Sequence, residues 1–203
     1  MVVSYQRRGL PHVHPTGQPL FVTWHLHGSL PVSACPPAGK SLSGQVFAWV
    51  DRGLDATRYG PVYLRQEAVA RLVVNSPRRG VELGHYLLHA FVVMPNHVHV
   101  LLTPRVPPSR LLQSLKGYTA RQAKRILGRI GESFWQRESY DHWVRDEREW
   151  HRIKLYIENN PVKAGMVKEA RDYPWSSAAG AQEPGFETSL EAANKSVHAT
   201  KDD

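Results

Sequence analysis

Cysteine is almost absent: the 203 residues hold one, Cys35. A lone thiol excludes a disulfide framework and any cysteine-rich zinc module. Long apolar runs are missing as well, and none approaches the roughly 18 residues that a membrane span needs. The opening stretch, MVVSYQRRGL, lacks the apolar segment of a secretory signal. A cytoplasmic protein without membrane contact is therefore expected. Acidic residues are scarce where basic ones crowd. Lys and Arg number 26 against 18 Asp and Glu, a net charge of +8. Residues 104–171 alone hold 15 Lys/Arg against 8 Asp/Glu, so one third of the chain carries nearly all the excess. That surplus suits a polyanion, nucleic acid first; a solvated pair of helices is the plain structural alternative.

What is present reads as one domain flanked by trimmings. Residues 1–17 are a basic, proline-bearing arm, 18–178 the folded domain, and 179–203 a disordered tail without periodicity. FVTWHLH (21–27) alternates as a strand does. Residues 28–60 form a long insertion rich in Pro and Gly, with a short helix expected near 47–52. The spacing of Leu64, Ala68 and Leu72 predicts a helix over 62–74 that stops before Ser76-Pro77. HYLLHAFVVM (85–94) and HVHVLL (97–102) flank the turn signal Pro95-Asn96 and predict a hairpin. A helix over 109–127 opens at Ser109 as N-cap. Another over 146–160 has Asp146, Glu147 and Glu149 in its first turn and Pro161 just beyond its end. Residues 167–178 predict a short last strand or extended segment. This order predicts an α+β sandwich with one antiparallel sheet.

Three His-x-His pairs occur. His12/His14 lies in the proline-flanked arm and reads as solvated coil. His97 and His99 are two apart in a strand, so both imidazoles lie on one face, about 6.6–7 Å apart along the chain. Two imidazoles so placed can converge on one cation. Val98, Val100 and Leu102 take the other face and suit a core. A half-exposed strand with two ornamental histidines fits the same spacing. His25 and His27 share the chemical face if the first strand pairs beside the 97–102 strand, for a phosphate contact or, less readily, a metal.

Tyr156 and Asn160 are one helical turn apart and lie on one face. A phenol beside two imidazoles can act as a nucleophile, and a carboxamide oxygen can complete a cation's coordination. By position alone, a core tyrosine with a satisfied hydroxyl is the structural alternative. Tyr118, Tyr140 and Tyr173 are rival nucleophiles: the first in a basic helix, the second in a predicted loop, the third before a proline near the end of the domain. His142 suits a phosphate or base contact, or burial beside Trp143. Lys116, Arg121, Lys124, Arg125, Arg137, Arg145 and Arg152 are the candidate DNA-binding residues, with Arg129 and Arg148 adding charge. Trp135 and Trp143 sit among them, for base stacking or for the core.

FVVMPNHVHVLL (91–102) resembles the histidine-rich strand of the single-tyrosine HUH transposases. LKGYTARQAKRILGR (115–129), FWQRESYDHWVRDEREW (134–150), YIENNPVKAGMV (156–167) and YPWSSA (173–178) resemble the branch of REP-associated tyrosine transposases, in the same order. The resemblance implies a ferredoxin-like fold: four to five antiparallel strands with helices packed on one side. It implies His97, His99 and Asn160 as ligands of Mg²⁺ or Mn²⁺, and Tyr156 as the nucleophile. The implied reaction cuts and rejoins single-stranded DNA near hairpins through a 5′-phosphotyrosine, by a homodimer or a monomer associated with the nucleoid. One departure bears on base reading: the branch carries Gly-Thr-x-Tyr before its first strand, where this chain reads Thr16-Gly17-Gln18-Pro19-Leu20. The 28–60 stretch is also long for the family. Two other readings compete. A catalytically silent regulator that binds structured DNA or RNA fits the charge equally well. A hydrolytic metal nuclease needs an acidic group near the histidines, and no Asp or Glu occurs between positions 83 and 132.

Overall fold

The computed structural model describes residues 17–30, 53–54 and 60–179. The expected basic arm up to residue 16, the helix near 47–52, His12/His14 and the tail from residue 180 lie outside the described residues. Strand β1 is Leu20–His25, and helix α1, Glu67–Glu82, follows a 3-10 turn at Tyr63–Arg65. Strands β2 (Tyr86–Val93) and β3 (His97–Pro104) form the expected hairpin. Helix α2 (Pro108–Ile126), strand β4 (Tyr140–Trp143) and helix α3 (Glu147–Lys163) complete the domain. The sheet order is β2-β3-β1-β4, all antiparallel, which is the order of a ferredoxin-like βαββαβ unit with α3 appended. Residues 167–178 form no strand of that sheet. Instead of the expected strand or extended segment they form bends and turns around a 3-10 turn at Ala170–Asp172, and touch the sheet through a bridge from Ser176 to Val92. Among the described residues no helix is long and apolar enough to cross a membrane.

Alternation along the strands gives the sheet two buried faces. Val22, Trp24, Phe91, Val98, Val100 and Leu102 pack with Val69 and Val73 of α1 and Leu111 and Ala123 of α2. Phe21, Ala90, Val92 and Leu101 face the other way and meet Ile153 and Ile157 of α3. Burial of each such aliphatic side chain contributes about 1.5–3 kcal/mol. The helices therefore do not all lie on one side, as the sequence reading had them: α1 and α2 cover one face and α3 the other. The run LLHAFVV in β2 is apolar without alternation because both of its faces are covered.

The first helix starts at Glu67 rather than at 62, behind the 3-10 turn, and three further departures from the expected helix boundaries involve proline. Helix α1 does not stop before Pro77 but runs through it. Pro77 lacks an N–H to bond back one turn. Neighbouring contacts hold this turn instead: Tyr86 Oη donates to the Pro77 carbonyl at 2.7 Å and Ser76 Oγ to the Leu72 carbonyl at 2.9 Å. Gly80 is required beside them, since a Cβ there would lie 2.3 Å from Tyr86 Oη. Helix α2 begins at Pro108, whose missing N–H costs nothing in a first turn, so Ser109 is not its N-cap. Helix α3 continues through Pro161 to Lys163 and closes with Gly165 at φ 69°, the Met166 N–H reaching the Pro161 carbonyl at 2.9 Å. Asp146 is its N-cap, accepting from the Glu149 N–H at 2.7 Å.

Candidate functional site: two imidazoles facing a tyrosine helix

Strand pairing places the chemistry. In an antiparallel ladder directly opposed residues share a face. Thr23 opposes His99, and His25 opposes His97 across β1 and β3; Phe21 opposes His142, and Thr23 opposes Tyr140 across β1 and β4. All of these lie on the face covered by α3. The ladder thus does with His25 what the sequence reading asked of it, while His27 is past the strand and exposed. His25 Nδ1 contacts Ser29 Oγ at 2.8 Å and the Leu26 carbonyl at 3.1 Å, and burial holds its pKa below the usual value.

His97 and His99 are fully buried, with 0% exposure each, and their Nε2 atoms are 3.1 Å apart. Each imidazole is braced from behind. Asn96 Oδ1 lies 2.7 Å from His97 Nδ1, and Thr23 Oγ1 lies 2.7 Å from His99 Nδ1. From α3, Asn160 brings its carboxamide within 3.4 Å of His99 Nε2 and 3.3 Å of Tyr156 Oη. The Tyr156 ring is 5.5 Å from the His99 ring, edge-on, and 6.2 Å from that of Phe21. Lys163 Nζ sits over the phenol ring at 5.5 Å. The four residues singled out in the sequence, His97, His99, Tyr156 and Asn160, are thereby brought together.

The arrangement has the chemistry of a cation site. Asn160 Oδ1 is buried and makes no hydrogen bond. Such an atom costs about 1–3 kcal/mol unless something occupies its lone pairs. Among the described residues no group of three His, Cys, Asp or Glu side chains suits a metal. The donor set that fits here is two imidazole Nε2 atoms and a carboxamide oxygen, and His97, His99 and Asn160 can supply it.

The chain matches the model of the family "Transposase IS200 like" over residues 70–160, which takes in the hairpin and α3 as far as Asn160. It is 29% identical over 101 residues to a Haemophilus influenzae protein named as a REP-associated tyrosine transposase, covering 43% of this chain and 56% of that one. It is also 29% identical over 94 residues to the REP-associated tyrosine transposase of Escherichia coli, covering 44% and 53%. The chain is thus similar to REP-associated tyrosine transposases over its central part. These matches span about half the length of those curated relatives. A solved REP-associated tyrosine transposase, bound to a REP hairpin, shares the fold at a TM-score of 0.52 and 18% identity, over 88% of this chain and 87% of that one.

Against this transposase fold the remaining candidates separate. Tyr173 is buried, its hydroxyl donates to the Val93 carbonyl at 2.8 Å, and burial pushes its pKa up to about 12. Tyr118 is exposed on α2, a helix of the opposite face. Tyr140 belongs to β4 rather than to a loop, and its ring stands 6.2 Å from Phe21 on the Tyr156 side. The basic candidates also divide. Arg121, Arg125 and Arg137 are exposed and Lys124 is half-buried. Lys116 instead donates to the carbonyls of Gln136 and Arg137 at 2.8 and 3.0 Å and to Ser139 Oγ at 2.9 Å, tying α2 to the segment before β4. Burial lowers its pKa to about 8. Trp135 is a core residue whose Nε1 donates to Thr119 Oγ1 at 2.9 Å, and Trp143 packs on the α1/α2 side.

Arg145 and Arg152 share a partner that the sequence reading placed only as a dipole-compensating acid. Glu149 is 5% exposed and accepts from Arg145 Nε at 3.0 Å, from the Arg145 N–H at 2.9 Å and from Arg152 at 3.2 Å. His142 Nε2 lies 3.2 Å from the same carboxylate. The Arg145 guanidinium holds its pKa down at about 2. Asn96 and Thr23 were likewise unmarked. The Asn in Pro-Asn-His is written off as turn chemistry, and Thr23 becomes relevant only once strand register is known.

Proposed function

We propose that this protein is a metal-dependent tyrosine transposase that cuts and rejoins single-stranded DNA near hairpins. The observation that carries the reading is the convergence of His97, His99 and Asn160 beside the Tyr156 hydroxyl. Tyr156 Oη attacks the scissile phosphorus, and the bond from phosphorus to the 3′ oxygen breaks. The phenol proton passes to the departing 3′ oxygen. The products are a 5′-phosphotyrosine and a free 3′-hydroxyl, which can attack another phosphotyrosine and restore a phosphodiester. One ester replaces another, so no nucleotide triphosphate is consumed. His97, His99 and Asn160 would hold Mg²⁺ or Mn²⁺, which would supply charge neutralisation and polarisation at the phosphate. Asn160 also orients the phenol through its 3.3 Å contact. Lys163 Nζ lies over the ring, 5.5 Å from its centroid. Arg121, Lys124, Arg125, Arg137, Arg145 and Arg152 serve the DNA backbone; Lys116 serves the fold of the segment they flank. Acting on DNA, the protein would work in the cytoplasm, associated with the nucleoid.

Incubated with Mn²⁺ and a hairpin flanked by single strands, the protein is expected to become covalently attached to DNA. Tyr156→Phe should abolish that adduct, and an undiminished adduct would overturn the assignment. The exposed arginines of α2 also fit a regulator that binds hairpins without cutting them. Tight hairpin binding with no cleavage under any divalent metal would favour that second reading.

A further inference from the structure

We propose that Asn96 and Thr23 are positioning residues that preset the protons of the two imidazoles, His97 permanently and His99 reversibly. The inference rests on the metal reading above and deepens it. The argument begins at Leu54, which is fully buried and belongs to the 28–60 stretch. A backbone carbonyl only accepts, so the Asn96 side chain must turn its Nδ2 toward the Leu54 oxygen, 3.0 Å away. That fixes Asn96 Oδ1 toward His97 Nδ1 at 2.7 Å. A carboxamide oxygen also only accepts, so His97 carries its proton on Nδ1 and presents a lone pair at Nε2. Neither end of Asn96 can be exchanged while Leu54 holds the other.

His99 differs. Its Nε2 lies 3.1 Å from the His97 lone pair, and two lone pairs at that separation repel. In the metal-free protein the His99 proton therefore sits on Nε2 and is donated to His97, and Asn160 Nδ2, 3.4 Å from the same nitrogen, donates to Tyr156 Oη at 3.3 Å instead. Nδ1 is then an acceptor, and the Thr23 hydroxyl, 2.7 Å away, donates to it. For both imidazoles to act as ligands, His99 must instead offer Nε2. Its proton then resides on Nδ1, and the Thr23 hydroxyl turns to accept it. A hydroxyl can donate or accept by rotation about one bond, which a carboxamide oxygen cannot. The two supports thus have different jobs, a fixed brace and a rotating one. The 28–60 stretch, so far without a role, supplies through Leu54 the anchor of the fixed brace.

Nitrogen–proton correlation NMR of the imidazoles in the metal-free full chain tests this without any DNA. His97 is expected as the Nδ1–H form and His99 as the Nε2–H form. Saturating Mg²⁺, which is diamagnetic, should convert His99 to Nδ1–H and leave His97 unchanged. A metal-free His97 in the Nε2–H form, or a His99 that does not change when the ion binds, would overturn the proposal. Mn²⁺ affinity gives a second reading. Asn96→Ala and Thr23→Val should each weaken binding by about 10- to 100-fold, and Thr23→Ser should restore it, as supports behind metal-bound histidines do. Wild-type affinity in both Asn96→Ala and Thr23→Val would overturn the proposal. Should Asn96→Ala fail to fold, the contrast between Thr23→Val and Thr23→Ser still decides. Expected tautomers and metal affinities in a protein that forms no DNA adduct would support the proposal and sink only the transposase reading.

Discussion

The two faces of the sheet are built from alternate residues of the same strands, yet they do opposite work. Toward α1 and α2, β3 presents Val98, Val100 and Leu102, all buried in an apolar cluster. Toward α3 it presents His97 and His99, equally buried but among Thr23, Asn96, Asn160 and Tyr156. The first face supplies stability through excluded water. The second retains polar groups whose desolvation is offset by neighbouring donors and acceptors, save at Asn160 Oδ1. One strand can thus hold a rigid floor and a reactive surface, with the side chains of the latter aimed by the packing of the former.

The contrast is broken most strongly by single substitutions on opposite faces of β3. His99→Ala should lower DNA cleavage by on the order of 10³-fold, the several kcal/mol that a bound cation supplies to phosphoryl charge. Its effect on thermal unfolding in the absence of metal should be small by comparison. Leu102→Ala should do the reverse: about 2–5 kcal/mol of stability lost by denaturant unfolding, with activity per folded molecule kept. If both variants lost activity and stability together, the division of labour would be wrong.

Acid sharpens the comparison next, because the α3 face carries two groups, His89 and Glu149, whose displaced titrations fall on the acid side. His89, bonded to Thr103 Oγ1 at 2.7 Å, has its pKa lowered to about 4 by burial. It folds neutral, so the unfolded chain binds more protons between about 6.5 and 4. Its stabilisation is complete above 6.5 and declines as the pH falls toward 4. Glu149 folds with a pKa of about 2 against 4.5 unfolded, so its contribution is complete above 4.5 and is lost as the pH falls through 2. Unfolding measured against pH should therefore show a two-step acid limb. Glu149→Gln should remove the lower step and cost about 1–3 kcal/mol at neutral pH, the worth of hydrogen bonds to a charged group. His89→Gln should remove the upper step.

The smallest expected effect lies on the surface. Arg121→Ala should reduce the slope of log affinity for hairpin DNA against log salt by about 1. Lys116→Met should instead destabilise the segment before β4, since its amine is spent on the Gln136 and Arg137 carbonyls.

Much of this was legible in the amino-acid order. The hairpin, the chemical and packing faces of β3 and the N-terminus of α3 follow from local patterns, whereas the grouping of His97, His99, Tyr156 and Asn160 follows from the resemblance to the single-tyrosine transposases. Strand β4 was missed because four residues, Tyr140–Trp143, carry too little alternation to announce a strand. Pro77 and Pro161 misled because proline argues against a helix locally, whereas tertiary contacts from Tyr86 and the capping at Gly165 hold those turns. The place of α3 on the far face was hinted at by the unbroken apolar run of β2. Asn96, Thr23 and Glu149 act across strand pairings or helix ends, which no single-segment pattern contains.

The most direct trial of the central claim is to locate the modified side chain. Protein incubated with Mn²⁺ and a hairpin-bearing single strand would be digested with protease and nuclease, and the peptide carrying the residual nucleotide sequenced by mass spectrometry. The account predicts a 5′-linked nucleotide on Tyr156. A nucleotide on Tyr140 or Tyr118, or cut DNA with a free 5′-phosphate and no modified tyrosine, would contradict it.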